Sequence, residues 1–321
     1  MRARTINSGA ASIRREAVAP HLALVGVQVL FGTWPIVGKI ALRALPSTAL
    51  VAFRICGAAI AFLILQRLFA GFQRIRRGDY ARLALYSLLG VVLNQLLFVK
   101  GLSLTTVINA TLLGTTIPVF TLLVSILLGY DRVSWRKALG ILLAASGVVY
   151  LVDPWRADFS GSTTLGNLLI VANSISYGAY IAVSKDILKR YGALTVITWV
   201  FVFGTVATLP VGALTLSETA LATAGAGVWL AVIYIIIFPT VGAYYLNAWA
   251  LQRVAPSTVA AYIYLQPLIA FALAPLILGE RWNSRTWLAS ALIFAGVAAA
   301  TWRERSHAIE EVAEHPDALS H

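Results

Sequence analysis

The chain has 321 residues, of which 59% are hydrophobic and only 12% charged, and apolar runs of about 20 residues recur along it, which excludes an ordinary water-soluble core. A net charge of +12 would suit a nucleic-acid binder, but the Lys and Arg residues sit in short segments between apolar runs and form no basic domain, so nucleic acid is excluded as a partner. The lone cysteine, Cys56, excludes an intramolecular disulfide.

Residues 1–21 read as a polar cytoplasmic N-terminal segment carrying Arg2, Arg4, Arg14 and Arg15. The apolar run after it is longer than the ~7–15 residues of a secretory signal and lacks a small-residue cleavage site, so an uncleaved first helix is expected. At 1.5 Å per residue, each predicted span can cross a hydrocarbon layer about 30 Å thick. They fall at 22–44, 47–66, 81–100, 104–128, 136–152, 164–184, 193–214, 226–246, 257–278 and 285–302. Connections such as Leu45-Pro46-Ser47 and Val254-Ala255-Pro256 leave no room for a soluble domain. Residues 303–321 carry Glu310, Glu311, Glu314 and Asp317, have little to bury, and read as a disordered cytoplasmic tail. The expected fold is an all-α membrane protein of ten transmembrane helices.

The chain also repeats itself. Pro118–Val148 matches Pro267–Val297 without a gap at a shift of 149, aligning Pro118 with Pro267, Asp131 with Glu280, Arg132 with Arg281, and Gly147 with Gly296. At a shift of 146, residues 31–39 (Phe31-Gly32 to Lys39) align with 177–185 (Tyr177-Gly178 to Lys185). The repeats divide the chain into five-helix halves, 22–152 and 164–302. With the N-terminus inside, eighteen of the 25 Lys and Arg residues are cytoplasmic and five external, leaving Lys39 and Arg54 within spans. This bias predicts two cytoplasmic termini, and an odd number of spans per half turns the second repeat upside down.

The aromatic-Gly pair followed by lysine, the Pro-containing fourth helix ending in an acid-Arg pair, and the two five-helix halves resemble the drug/metabolite transporter superfamily, in particular its EamA-domain group. The most specific piece is Leu278-Gly279-Glu280-Arg281 after Gln266-Pro267; the first half has Gly129-Tyr130-Asp131-Arg132 where Gly-Glu-Arg is usual. The resemblance covers nearly the whole chain and implies an inner-membrane carrier for small metabolites, often an exporter.

Polar groups inside the spans supply the candidate site. Lys39 lies about 8 Å and Arg54 about 11 Å from the outer end of their helices, a similar depth that allows one cationic spot. Snorkelling of Lys39 and backbone pairing of Arg54 remain alternatives. Gln28, Gly32, Pro35 and Lys39 share one helical stripe with Phe31 and Trp34 beside it, while Asn173, Tyr177, Tyr180 and Ser184 share another. Asn94, Gln95, Asn109, Tyr262 and Gln266 add hydrogen-bonding groups, which at mid-membrane bind substrate or join helices. Pro118 and Pro267 are expected inside spans, each removing a helix hydrogen bond and forming a candidate hinge.

All thirteen Asp and Glu residues fall in termini, loops or helix ends, so the buried carboxylates of proton-coupled pumps are missing from the spans. The expected activity is export or exchange of small organic metabolites, preferably amino acids or related carboxylates, by alternating access. No cofactor and no metal are expected; the partners are the substrate and the lipid bilayer, and the oligomeric state stays open. A membrane-embedded enzyme acting on lipid-borne substrates would need convergent acid/base groups or metal ligands that the spans lack, and a non-transporting receptor or scaffold is the other alternative.

Overall fold

Leu214 and Leu276 stand 88% and 82% exposed, and Ile60, Leu142, Val206, Leu230 and Leu268 are exposed with them, giving the helices an extensive apolar outward surface. Such a surface is stable against lipid and not against water. The computed structural model describes residues 2–129, 134–152, 162–216, 221, 224–254, 256–296 and 298–299, with side chains described from residue 18 onward except at 136–137, 152, 256–257 and 261. The predicted Asp131-Arg132 pair, the Asp153–Gly161 loop and the 303–321 tail lie outside the described residues.

Among the described residues there is helix and turn but no strand. Eight helices are long and apolar enough to cross a membrane, and their ordered succession makes this a multi-pass membrane protein. They are α1 (Arg2–Ala41, apolar from Val18), α2 (Ser47–Ala70), α3 (Arg77–Leu104), α4 (Val107–Leu127), α6 (Ser162–Tyr191), α7 (Ala193–Thr215), α8 (Ala226–Leu251) and α9 (Thr258–Leu278). Two shorter helices, α5 (Trp135–Val152) and α10 (284–296), complete the described set.

Several boundaries differ from the sequence reading. Helix α1 starts at Arg2, where a polar segment was expected, because a helix satisfies its own backbone whether or not its side chains are apolar. Helix α6 runs seven residues past the predicted end at 184; the extra turns carry Lys185, Lys189 and Arg190 and bury Ile187 and Leu188. Pro118 and Pro267 lie at the start of new helical segments, where the missing N–H costs nothing. The breaks themselves precede them. In α4 the chain pauses at Thr115 and Thr116, whose hydroxyls donate to the carbonyls of Leu112 and Leu113, each at 2.6 Å. In α9 a tighter 3-10 turn spans Tyr262–Leu265.

Packing crosses between the halves. Helix α1 lies against α8 and α9, α6 lies against α3 and α4, and α2 packs along α7. Small residues make the closest approaches. A Cβ on Gly147 of α5 would meet Ile293 at 2.7 Å and the carbonyl of Ala289 at 3.0 Å, while one on Gly296 of α10 would strike the backbone of Ala144 and Gly140. Under the 149-residue shift these contacts are one contact read in both directions, since 147, 144 and 140 map onto 296, 293 and 289.

Wider π-helical turns interrupt α3 at Leu88–Leu93 and α8 at Ile236–Gly242. The same shift carries the first onto 237–242. Both turns lie beside the polar interior.

Candidate functional site

Helix α2 carries Arg54 into the centre of the bundle, where it is 1% exposed. Its Nε donates to Thr240 Oγ1 at 2.5 Å, one Nη donates to Gln95 Oε1, and the other reaches the carbonyl of Pro239 at 3.4 Å. The guanidinium carbon lies 4.0 Å from the centroid of the Trp34 ring, a cation–π contact. The π-helical turn of α8 places these acceptors: Thr240 uses its own proton on the carbonyl of Ile235 at 2.6 Å, leaving its oxygen to accept from Arg54.

The turn in α3 does the matching work. Consecutive residues on a regular helix point about 100° apart, yet Asn94 and Gln95, immediately after the π-helical turn, are both buried. Gln95 Nε2 donates to Asn94 Oδ1 at 3.1 Å and to the Tyr244 hydroxyl; that hydroxyl lies 3.1 Å from Asn94 Oδ1. Gln95 and Tyr244 are equivalent under the 149-residue shift, so the two halves meet through one hydrogen bond between matched positions.

Further side chains enclose a cavity of about 70 Å³ around this network. Asn247 donates to the Tyr177 hydroxyl at 3.1 Å, Tyr177 stacks on Tyr180 at 5.7 Å, and Asn173 donates to the backbone carbonyl of Asn94 at 2.8 Å. Gln266 donates to Gln28 at 2.7 Å, tying α9 to α1.

Nine of the thirteen substrate-site residues named from sequence line this cavity: Gln28, Phe31, Trp34, Arg54, Asn94, Gln95, Asn173, Tyr177 and Gln266. Tyr180 stands behind Tyr177, buried but off the wall. Tyr262 pairs with His21 at 2.8 Å, and Asn109 belongs to the first turn of α4, where its backbone N–H donates to Thr106. Lys39 is half-buried, away from the cavity wall, within electrostatic reach of Glu280. Lys39 and Arg54 therefore form no joint cationic spot in this conformation.

Sequence reasoning missed Tyr244, Asn247 and Thr111, all of which line the cavity. Tyr244 was available as the repeat partner of Gln95. The acid of the Leu278-Gly279-Glu280-Arg281 segment also acquires a physical role. Gly279 turns the chain at φ +69°, and the Glu280 carboxylate accepts from the backbone N–H groups of Val107 and Ile108 at 2.7 and 3.0 Å. A carboxylate there satisfies free donors at the positive end of α4 and holds the end of α9 to it.

Among the described residues no carboxylate lines the cavity, and Arg54 has only neutral partners. The ion pairs described lie elsewhere, joining Asp79 to Arg190 at 2.8 Å and to Arg82 at 4.0 Å. A buried cation surrounded by neutral acceptors has its desolvation only partly offset, and a small anion in the cavity would complete the compensation.

Comparison with known proteins agrees with this architecture. The chain is 25% identical to an uncharacterized transporter, YetK, of Bacillus subtilis over 88% of its own length and 87% of the relative's. It is 27% identical to a probable terminal-alkyne amino-acid exporter of Streptantibioticus cattleyicolor, covering 71% of this chain and 75% of that one. A solved crystal structure superposes with a TM-score of 0.65 at 19% identity, covering 88% of this chain and 97% of its counterpart, a likeness of fold. The EamA-like transporter family matches residues 19–152 and 164–302, which is nearly the whole of both halves, and the chain belongs to that family.

Proposed function

We propose that this chain is an inner-membrane carrier that exports or exchanges small organic carboxylates, amino acids among them, by alternating access and without needing a proton gradient. The observation carrying this reading is Arg54: a buried guanidinium on the wall of a small cavity with no carboxylate partner among the described residues. A substrate carboxylate would supply the missing negative charge, with Trp34 and the amides of Asn94 and Gln95 shaping the space around it. The amino-acid exporter among the relatives supports the cargo class. The crossed packing of α1 on α8 and α9, and of α6 on α3 and α4, supports ten spans in two inverted halves.

Flux into liposomes containing the purified protein tests this directly. Labelled L-alanine, L-serine, L-lactate and L-glycerate, offered one at a time with equal pH on both sides, should include substrates that exchange at least tenfold faster than in protein-free liposomes. Absence of protein-dependent flux for all four would defeat the carboxylate reading. Flux appearing only under an imposed pH gradient would defeat the uncoupled one.

Orientation is tested separately. In a Cys56→Ala background, a membrane-impermeant thiol reagent applied to intact cells should label Ser284→Cys, the first residue of α10, and spare Gln73→Cys, between α2 and α3; both native residues are exposed. The reverse pattern would invert the topology and the cytoplasmic termini with it.

A further inference from the structure

Thr111 lines the cavity on α4, is 4% exposed, and its Oγ1 has no hydrogen-bond partner. A buried threonine on a helix ordinarily spends its proton on the carbonyl one turn back. Thr121, Thr198, Thr205 and Thr208 all do so, at 2.9, 2.7, 3.0 and 2.8 Å. Thr111 does not, although a carbonyl lies four residues earlier in the same helix at Val107. Its position makes the omission informative: it sits one turn before the break at Thr115–Thr116, and Gly114, between them, also lines the cavity. An orphaned hydroxyl inside a protein carries the full cost of its lost water, a cost that a ligand can remove.

Resting on the carboxylate reading above, we infer that Thr111 determines specificity by hydrogen-bonding a second polar group of the substrate, one other than the carboxylate held at Arg54. No hydrogen bond anchors the hydroxyl, so turning it about χ1 toward a ligand breaks nothing. The favoured substrate is thus a small carboxylate bearing a hydroxyl or comparable hydrogen-bonding group, and its deoxy analogue is the poorer one. Discrimination of this kind arises because a polar wall left unpaired penalises the analogue that lacks the group.

The test uses two pairs of probes differing by one hydroxyl, L-serine against L-alanine and L-glycerate against L-lactate, in liposomes containing the full chain. Wild type should prefer the hydroxylated member of at least one pair. Thr111→Val, which keeps the shape and removes the oxygen, should reduce that preference about fivefold to tenfold while leaving the deoxy member nearly unchanged, and Thr111→Ser should retain it. Without ligand, Thr111→Val should melt at or above the wild-type temperature because no hydrogen bond is lost, whereas Thr121→Val, which removes a made bond, should melt lower. A wild type indifferent to the hydroxyl, or a preference unaltered in Thr111→Val, would overturn the assignment while flux of the deoxy probes left the carboxylate reading standing. A drop in the ligand-free melting temperature of Thr111→Val to match Thr121→Val would show a structural bond and overturn it as well. Absence of flux for all four probes in the wild type would remove both readings together.

Discussion

Arg54→Gln should lower transport of L-lactate by at least about 25-fold while leaving transport of its neutral amide, lactamide, within about threefold of wild type. Removing the charged partner of a buried, hydrogen-bonded ion pair costs on the order of 2–5 kcal/mol, and each 1.4 kcal/mol is tenfold. Lactamide has no negative charge for the guanidinium to meet. The loss should exceed that from Lys39→Gln, because Lys39 lies off the cavity wall and faces Glu280, whereas Arg54 is enclosed with Trp34, Gln95 and Thr240. Flux per correctly inserted molecule is the quantity to compare, with membrane insertion measured alongside. Equal losses for the acid and the amide would mean that Arg54 holds the helices together and does not hold the substrate.

The second large effect concerns stability. Gly296→Val should weaken the α5–α10 contact severely, by about 3 kcal/mol or more, and be seen as a lowered melting temperature in detergent and reduced yield. The reason is geometric. A Cβ at position 296 falls on the backbone of Ala144 and lies 2.6 Å from the carbonyl oxygen of Gly140, and backbone in a packed helix cannot yield as a side-chain tip can. Gly147→Val should act in the same sense through Ile293 and the carbonyl of Ala289. Gly26→Ala is the control: nothing lies within 4 Å of the added Cβ, and alanine favours the helix. A Gly296→Val protein that melts with the wild type would refute close packing at this contact.

Much of the architecture was legible because hydrocarbon imposes simple rules. A segment without internal hydrogen bonds cannot cross lipid, so apolar runs near 20 residues had to be helices, and their positions were readable to within a few residues for α2, α7 and α9. The 149-residue repeat was equally explicit, and it located Gly147 and Gly296, whose contact is now seen from both sides. The interior placement of Arg54 followed from cost alone, since a guanidinium in the middle of an apolar run is expensive against lipid.

Tertiary structure decided what periodicity does not encode. Lys39 and Arg54 differ by about 3 Å in predicted depth, too little to say which of them enters the cavity; the neighbours available to each, Glu280 for one and the Thr240–Gln95–Trp34 cluster for the other, separate them. The π-helical turns at Leu88–Leu93 and Ile236–Gly242 leave no mark in composition, because one extra residue in a turn is stabilised by contacts from other helices, and those turns bring Asn94, Gln95 and Thr240 to face Arg54. The prolines reported that the fourth helix of each half is discontinuous, but the position of the break depended on which carbonyls Thr115 and Thr116 could reach. The sequence by itself determined which segments are apolar, how they repeat and which two cations lie within them, because burial in lipid is a property of each segment alone; which of the two lines the cavity, and which polar groups meet around it, was decided only when the helices packed, because a hydrogen bond is a property of two.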